Sequence, residues 1–544
     1  MHNLMRALRE RLSNGLDRAS IRGSSEWAEK YRIMGKPFAG PWSFKRHPWL
    51  RVMHDSKCPV IIGQKSAQMG YSETAINRAF YYIDILGESV LYVLPTERPD
   101  AVDFSASRFD PALEMSPHLQ NLFSDTKNLG LKRAGSACLY VRSSRSRSQL
   151  KSIPAGNLVF DELDEMSEES RTLAQERASG QENKTEFDLS TPTAPGYGIN
   201  ALFMDSTQSH YFFKCPHCSR RIKLEHENLV ITADTHFDKN IVNSYYKCLA
   251  CGHKLDHRQK LDWYESAEWV AAMNDTIVEG YRVNQLYSLT IQPFELARLY
   301  LLGTQRPSKM QEYYNSKLGL PKLMEGAQLD LPTVEQNRGN YESPQYVSPD
   351  RYITMGVDVG TLLNVEITDW AMPPSIQAKE IHARAVPSVV KALTVKDFED
   401  LDGLMAQYNV RYCVIDKDPD RRKALEFAKR FPGKVKLCHY SEHVLSDELI
   451  ISNVFVSVHR TSWLDLVLAR FRLKAIHLPN NISLEYMEQM CAPMRILKED
   501  QNGNPISRYV NSKADHYAHA RNYSEVAFGL SIGLGTVKDM TDPV

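Results

Sequence analysis

Residues 58–74, CPVIIGQKSAQMGYSET, restrict the fold more than any other stretch of the chain. The apolar run Val60-Ile61-Ile62 reads as a strand and ETAINRAFYYIDIL as a helix. Between them lies a short loop of Gly63, Gln64, Lys65, Ser66, Ala67, Gln68, Met69, Gly70, Tyr71 and Ser72. A strand, tight loop and helix in that order aim loop N–H groups and a helix N-terminus at one point, which suits a bound phosphate. Against the pattern G-x-x-x-x-G-K-[ST] the match is partial. Gly70 and Ser72 fit, Tyr71 stands at the lysine position and Lys65 at the first glycine. A lysine at the start of the loop still reaches β- and γ-phosphates, because the loop wraps around them. An ordinary strand-to-helix turn would carry the same pattern.

A chain of 544 residues exceeds what one hydrophobic core serves, so two or more domains are expected. Lys+Arg and Asp+Glu both number 66, so no global positive field draws nucleic acid and any DNA contact falls to local patches. No apolar run is long enough for a bilayer and the N-terminus lacks a secretion signal's apolar core. A reducing cytosol is the expected compartment. Four of the nine cysteines form two CxxC pairs and the rest are scattered, which points to a metal site rather than a disulfide framework.

From Val60 to about residue 200, apolar runs (SVLYVLP, ACLYV, NLVFDE, EFDLSTP) alternate with helical stretches, the pattern of an α/β domain with a largely parallel sheet. A second α/β pattern starts at YITMGVDVG. The expected map is a helical segment over 1–45, with Leu4, Leu8 and Leu12 on one face, a first domain over 46–330 interrupted by a cysteine-bearing insertion at 211–262, a polar linker over 331–350, a second domain over 351–530, and a flexible tail over 531–544.

The run Asn157-Leu158-Val159-Phe160 ends in Asp161-Glu162. On the strand neighbouring the phosphate loop, Asp161 would hold Mg²⁺ through water, and Glu162 would orient the attacking water and take its proton. A third strand, EFDLSTP, offers Ser190 or Thr191 as a sensor of the γ-phosphate. The basic run Arg142–Lys151 would touch DNA phosphates or lend an arginine, Arg147 or Arg145, to a neighbouring subunit's ATP; a solvated loop is the plainer alternative.

Cys215-Pro-His-Cys218 and Cys248-Leu-Ala-Cys251 are knuckles of the kind that hold Zn²⁺ through four thiolates, leaving no open position for catalysis. RRIKLEHENLVIT is expected as a β-hairpin between them, and His217 or His253 could replace a cysteine. In the second domain, Asp358 ends the strand ITMGVDVG, Asp416 ends YCVIDKD, and Asp515 opens a helix followed by His516 and His519. Three acids at one sheet end can hold two divalent cations about 4 Å apart for in-line phosphodiester hydrolysis, with hard oxygens favouring Mg²⁺ or Mn²⁺. Each acid alone would pass for an ordinary strand-end or capping residue.

KSAQMGYSE, VFDELDEM, LSTPT, CPHC with CLACGH, YYNSKLGLP, GVDVG, VIDKDPD and ADHYAHARNY, in this order, resemble the large terminase subunit of tailed bacteriophages, lambda-type branch. The resemblance spans roughly residues 25–525. It implies an α/β chain: a P-loop ATPase domain with a parallel-rich sheet and an inserted zinc ribbon, then an RNase H-like α/β nuclease domain. It further implies a subunit that uses ATP to drive double-stranded DNA into a procapsid and cuts concatemers, with Mg²⁺ (or Mn²⁺) for both activities and structural Zn²⁺. The implied partners are a small terminase subunit, the capsid portal and copies of itself in a ring, with no membrane. The implied place is the host cytoplasm, transiently on the procapsid. Lys65, Gly70 and Ser72 match the nucleotide loop, Asp161 and Glu162 its acids, and Asp358, Asp416 and Asp515 the nuclease ligands. The family often has an acid where His519 stands, so His516 or His519 could complete that site, with Glu366 a further candidate ligand. A cellular repair or defence translocase-nuclease, or a DNA-binding adaptor with an inactive nuclease, are the competing readings.

Overall fold

The computed structural model describes residues 20–123, 126–151, 153–374, 377–445, 448–499 and 505–537. The helix expected around Leu4, Leu8 and Leu12, and the end of the tail, lie outside them. The chain divides into two compact units, Met1–Met324 and Glu325–Val544. No helix among the described residues is long and apolar enough to cross a membrane.

The first unit is built on one sheet of eleven strands. Its main strands are β1 (Val60–Gln64), β2 (Val90–Leu94), β3 (Ala137–Ser143), β4 (Asn157–Asp161), β5 (Thr185–Ser190), β6 (Ser209–Lys214), β7 (Arg221–Ile222) and, after β8 (Leu229–Val230), β9 (Tyr245–Lys247) and β10 (Lys254–Leu255) of a separate small sheet, β11 (Val278–Arg282). The spatial order is β7-β6-β11-β1-β5-β4-β2-β3, and every neighbouring pair from β6 to β3 is parallel. β2 and β4 are buried at all five positions, as strands covered on both faces must be, which is why they read as unbroken apolar runs. Helix α1 (Tyr71–Tyr81) follows the β1 loop directly. The acidic strand β4 does not neighbour β1 as expected: β5 lies between them, pairing with both. A parallel connection must cross over the sheet face, so strands adjacent in sequence need not be adjacent in space.

The second unit carries an eight-stranded sheet. Its strands include β12 (Ile353–Val359), β13 (Leu363–Ala371), β14 (Val386–Val395), β15 (Tyr412–Asp416), β16 (Val435–Tyr440), β17 (Leu449–Ser452) and β18 (Phe455–Val458), in the order β14-β13-β12-β15-β16-β18-β17. The first three are antiparallel, and β12-β15-β16-β18 are parallel. Helices α2 (Arg460–Arg472) and α3 (His516–Ser531) pack with it. A Cβ on Gly356 would lie 2.0 Å from the Ala520 carbonyl oxygen and 2.3 Å from the Ser524 nitrogen, so glycine at mid-β12 lets α3 lie directly on the strand. The stretch 331–350, expected as a linker, begins as a fixed part of this unit. Val334 is buried in a core cluster with Leu464 and Phe471, Asn337 donates to the Phe471 carbonyl at 3.0 Å, and Gly339 N–H to that of Leu478 at 2.8 Å. Its apolar residues are too sparse to show a period, but they supply anchors.

Candidate functional site

The phosphate-type loop leaves β1 at the carboxyl edge of the sheet. Gly63 is required by close packing: a Cβ there would meet Leu189 at 2.6 Å and the Tyr71 ring at 2.7 Å. Gly70, at φ 88°, makes the left-handed turn into α1. Tyr71, at the usual lysine position, is 1% exposed and its hydroxyl donates to the Tyr281 carbonyl at 3.3 Å, so it is a core residue. The cation comes from Lys65. Its Nζ lies 2.6 Å from Asp161 Oδ1, 2.9 Å from Glu162 Oε1 and 3.4 Å from Ser72 Oγ. Burial opposes the charge on Lys65, but Asp161 and Glu162 more than reverse this and hold the ammonium above its usual range. Burial likewise opposes ionisation of Asp161, and Lys65, Ser72 and Tyr92 outweigh it, keeping the carboxyl below its usual range. Glu162 sits in the left-handed region at φ 63°, a conformation that costs a non-glycine residue about 1 kcal/mol and concentrates at functional sites.

The remaining expected loop residues divide between loop support and open surface. Ser66 Oγ donates to the Val283 carbonyl at 3.0 Å, Ala67 N–H to that of Ser316 at 2.8 Å, and the Met69 carbonyl accepts from Trp49 Nε1 at 3.0 Å. Gln68 adopts φ 58°. Ser190 is tied into the acidic turn, its Oγ accepting from Asp164 N–H at 3.2 Å and donating to the Thr191 carbonyl at 3.1 Å, which leaves Thr191 the more open of the two hydroxyls. Arg145 and Arg147 are both exposed, and Arg147 pairs with exposed Glu169.

Cys215, Cys218, Cys248 and Cys251 bring their Sγ atoms within 4.8 Å of one another. The Cys215–Cys251 and Cys218–Cys248 separations are 4.0 Å, close to the roughly 3.8 Å that tetrahedral Zn–S bonds of about 2.3 Å produce. The two knuckles repeat one backbone device. Cys215 and Cys248 N–H donate to the carbonyls of Arg220 and His253 at 2.9 Å, and the residues four positions after each first cysteine, Ser219 and Gly252, take positive φ of 57° and 73° and close the turn. RRIKLEHENLVIT is not a hairpin. Its β7 pairs back onto β6 and its β8 pairs with β9, so each knuckle is itself a hairpin turn. His217 and His253 stack on each other at 4.0 Å, and the four thiols complete the cluster without them.

In the second unit, β12 and β15 run parallel with Val357 beside Ile415, so Asp358 and Asp416 leave the sheet together; Asp515 immediately precedes α3 at its N-cap position. Asp358 Oδ2 pairs with His516 Nδ1 at 2.8 Å, Asp515 with His519 Nε2 at 3.3 Å, and Asp416 Oδ2 accepts from Tyr523 OH at 2.9 Å. Burial, followed by the charge of Asp358, pushes the Asp416 carboxyl up to about 6. The three acids do not gather within 4.8 Å; among the described residues only the four cysteines do. A pair of cations about 4 Å apart needs ligands spread wider than a single ion does. Glu366 is not part of this group. It is wholly buried, accepting from Arg521 at 2.8 Å and Tyr486 at 2.7 Å, because antiparallel register sets it opposite Gly356 in mid-strand under α3.

Residues 37–269 match the family described as "Phage terminase large subunit gpA, ATPase domain". This region is a terminase ATPase domain. No curated protein matches the chain. Among solved structures, the chain is similar to the HK97 bacteriophage large terminase (11% identity, 93% of this chain and 98% of that one, TM-score 0.49). It is also similar to the large terminase of a thermophilic bacteriophage in complex with ATP-gamma-S (13%, 89% and 98%, 0.30). A third likeness is to the large terminase nuclease of thermophilic phage G20c with bound magnesium (12%, 36% and 94%, 0.24).

Several residues of the two sites had no local signal. Tyr92 donates to Asp161 Oδ2 at 2.7 Å, and Gln285 Nε2 to the Ala67 carbonyl at 2.7 Å. Gly319, in the motif YYNSKLGLP, lies so close that its Cβ would sit 3.1 Å from Ser66 N, and its carbonyl accepts from Gln64 at 2.8 Å. In the second unit Asn511 donates to Asp515 at 2.9 Å without a pattern to announce it. Tyr523 could have been found: Asp515, His519 and Tyr523 recur every four residues, one face of a helix.

Proposed function

We propose that the chain is the large subunit of a phage DNA-packaging motor, hydrolysing ATP in its first unit to drive double-stranded DNA into a procapsid and cutting concatemeric DNA with its second. The observation that carries the first half is Lys65 held between Asp161 and Glu162 at the tip of parallel strands, with loop amides and the α1 N-terminus beside it. Magnesium brought in with ATP would supply positive charge to offset that developing on the phosphates at transfer. Asp161 would hold it through water, Lys65 would turn from the acids to the phosphates, and Gly70 and Ser72 would line the cradle. Glu162 orients the attacking water and takes its proton. Thr191, with Ser190 behind it, senses the γ-phosphate, and Arg147 or Arg145 reaches a neighbouring subunit's nucleotide in a ring. Zinc on the four cysteines is structural.

For the second unit the RNase H-like reading rests on the sheet, three antiparallel strands followed by parallel ones, with Asp358 and Asp416 on adjacent central strands. These two acids and Asp515 would hold two Mg²⁺ or Mn²⁺ ions, and His516 or His519 would complete or orient the set. The small terminase subunit and portal are the proposed partners and the host cytoplasm the place of action. The deciding experiment is Glu162→Gln. DNA-stimulated ATP turnover should fall about 10²–10⁴-fold while nucleotide binding survives; turnover at the wild-type rate would remove Glu162 from the site.

A further inference from the structure

The end of β11 and the residues after it, Tyr281-Arg282-Val283-Asn284-Gln285-Leu286-Tyr287, are shared by two parts of the first unit that are far apart in sequence. On one side this segment holds the phosphate loop: the Tyr281 carbonyl accepts from Tyr71 OH at 3.3 Å, the Val283 carbonyl from Ser66 Oγ at 3.0 Å, and Gln285 Nε2 donates to the Ala67 carbonyl at 2.7 Å. On the other side it holds the cysteine-bearing ribbon. Arg282 pairs with Glu225, Asn284 Nδ2 donates to the Leu224 carbonyl at 2.7 Å, and Leu224 N–H donates to Tyr287 OH at 3.0 Å. The carbonyls of Tyr281 and Val283 serve the loop and the side chains of Arg282 and Asn284 the ribbon, and Gln285 opens a 3-10 turn, Gln285–Tyr287, that returns its side chain to the loop. Arg282, Asn284, Gln285 and Tyr287 are all 5% exposed or less, so these four side chains are largely shielded from solvent.

A second strap repeats the connection. His226 of the ribbon meets Tyr313 OH at 2.8 Å; three residues later the Ser316 carbonyl accepts from Ala67 N–H at 2.8 Å; and the Leu318 carbonyl accepts from Arg282 Nη1 at 3.0 Å. Ribbon and loop are thus braced by the same two segments.

We propose that the ribbon is energetically coupled to the nucleotide loop through Arg282–Tyr287, with Asn284 and Gln285 as positioning residues: a closed, metal-loaded ribbon fixes the loop in its phosphate-receiving shape. The inference rests on reading residues 63–72 as the nucleotide loop. Coupling between two binding sites is reciprocal, so nucleotide must stabilise the metal-loaded ribbon as much as the ribbon stabilises bound nucleotide.

The test uses the full chain loaded with zinc. Zinc transfer to a chromogenic chelator is followed with and without saturating Mg·ADP, and binding of a fluorescent ADP analogue is measured in parallel. Nucleotide should slow zinc release about 5-fold or more in the wild type. The slowing should disappear in Gln285→Ala, which leaves all four cysteines intact. If the analogue binds and zinc release is unchanged, the coupling is wrong and the nucleotide loop stands. If the analogue does not bind the wild type, the loop reading fails and the coupling with it. If Gln285→Ala retains the full slowing, the path does not run through that residue. Because the wild-type comparison decides first, a variant that fails to fold does not shield the proposal.

Discussion

The two acidic sites start from one plan, carboxylates at the ends of parallel strands with a helix N-terminus beside them, and solve the charge problem in opposite ways. In the first unit, a lysine from the chain itself neutralises Asp161 and Glu162. In the second, Asp358 and Asp515 pair with the imidazoles of His516 and His519, and Asp416 keeps a raised pKa of about 6. A site that carries its own cation is a stable part of the fold; in the second site Asp515, despite its burial, is held below its ordinary value by His519 and Arg460, and the penalty falls on buried Asp416 beside Asp358, where a divalent cation would relieve it. The contrast predicts that removing charge weakens the first unit and leaves the second as stable or more so.

The largest effect should come from Lys65→Ala. It leaves Asp161, 1% exposed, without its partner, at a cost of about 3–5 kcal/mol in unfolding free energy. It also removes the phosphate-binding charge, and ATP turnover should fall at least about 10²–10³-fold. The counterpart, Asp358→Ala, should abolish plasmid cleavage in Mn²⁺ with ATP turnover retained and the metal-free melting temperature unchanged or raised. A large drop in that temperature would break the comparison, because it would make Asp358 a structural acid of the same kind as Asp161.

Next in size is Gly356→Ala. The new methyl would collide with the backbone of α3, not with the end of a side chain, so the helix itself must move. The expected cost is about 3 kcal/mol, at the upper end for overpacking. Asp515 stands at the N-terminal end of that helix and moves with it, so cleavage should be lost together with stability while nucleotide binding by the first unit persists. Wild-type cleavage in this variant would mean that Asp515 need not be held against β12.

How much of this was legible in the sequence depends on how far each partner lies along the chain. Lys65, Asp161 and Glu162 sit in local patterns, a glycine-flanked loop and an apolar run ending in acids, and strand-end position follows from such patterns directly. The insertion of β5 between β1 and β4 was not legible, since strand order is set by crossover paths that leave no local mark. Nor were Trp49, Tyr92 and Gln285, each an ordinary core residue until the fold sets it against the loop. The knuckles announced the cysteine cluster, but the hairpin expected between them was misplaced, because the turn-forming residues were the knuckles themselves. Glu366 shows the converse error: an acid close in sequence to Asp358 lies, by register, opposite Gly356 and under Arg521.

The smallest and sharpest test is pH. Asp161 is held below its ordinary 3.8, so the stability it contributes is present above that value and lost only in stronger acid. Asp416 is raised from 3.8 to about 6 by burial and then by Asp358, so its contribution runs the other way: present below about pH 4 and lost as pH rises through 6. His516 is raised by its bond to Asp358 and acts in the same direction as Asp416, losing its contribution as pH rises above the ordinary 6.5. Metal-free protein taken from pH 5 to pH 8 should therefore lose stability in the second unit, by about 1–2 kcal/mol from Asp416 after solvent screening. In the first unit Asp161, lowered from 3.8, and Lys65, raised from 10.5, add no change over that range. Calorimetry of metal-free chain across this window, repeated with Asp416→Asn, reads the difference: the variant should flatten the second transition's pH dependence, and added Mn²⁺ should reverse it in the wild type by giving the acids their missing cation. A second transition that strengthens with rising pH in metal-free protein would mean that the three acids are neutralised by the fold already and have no need of a metal.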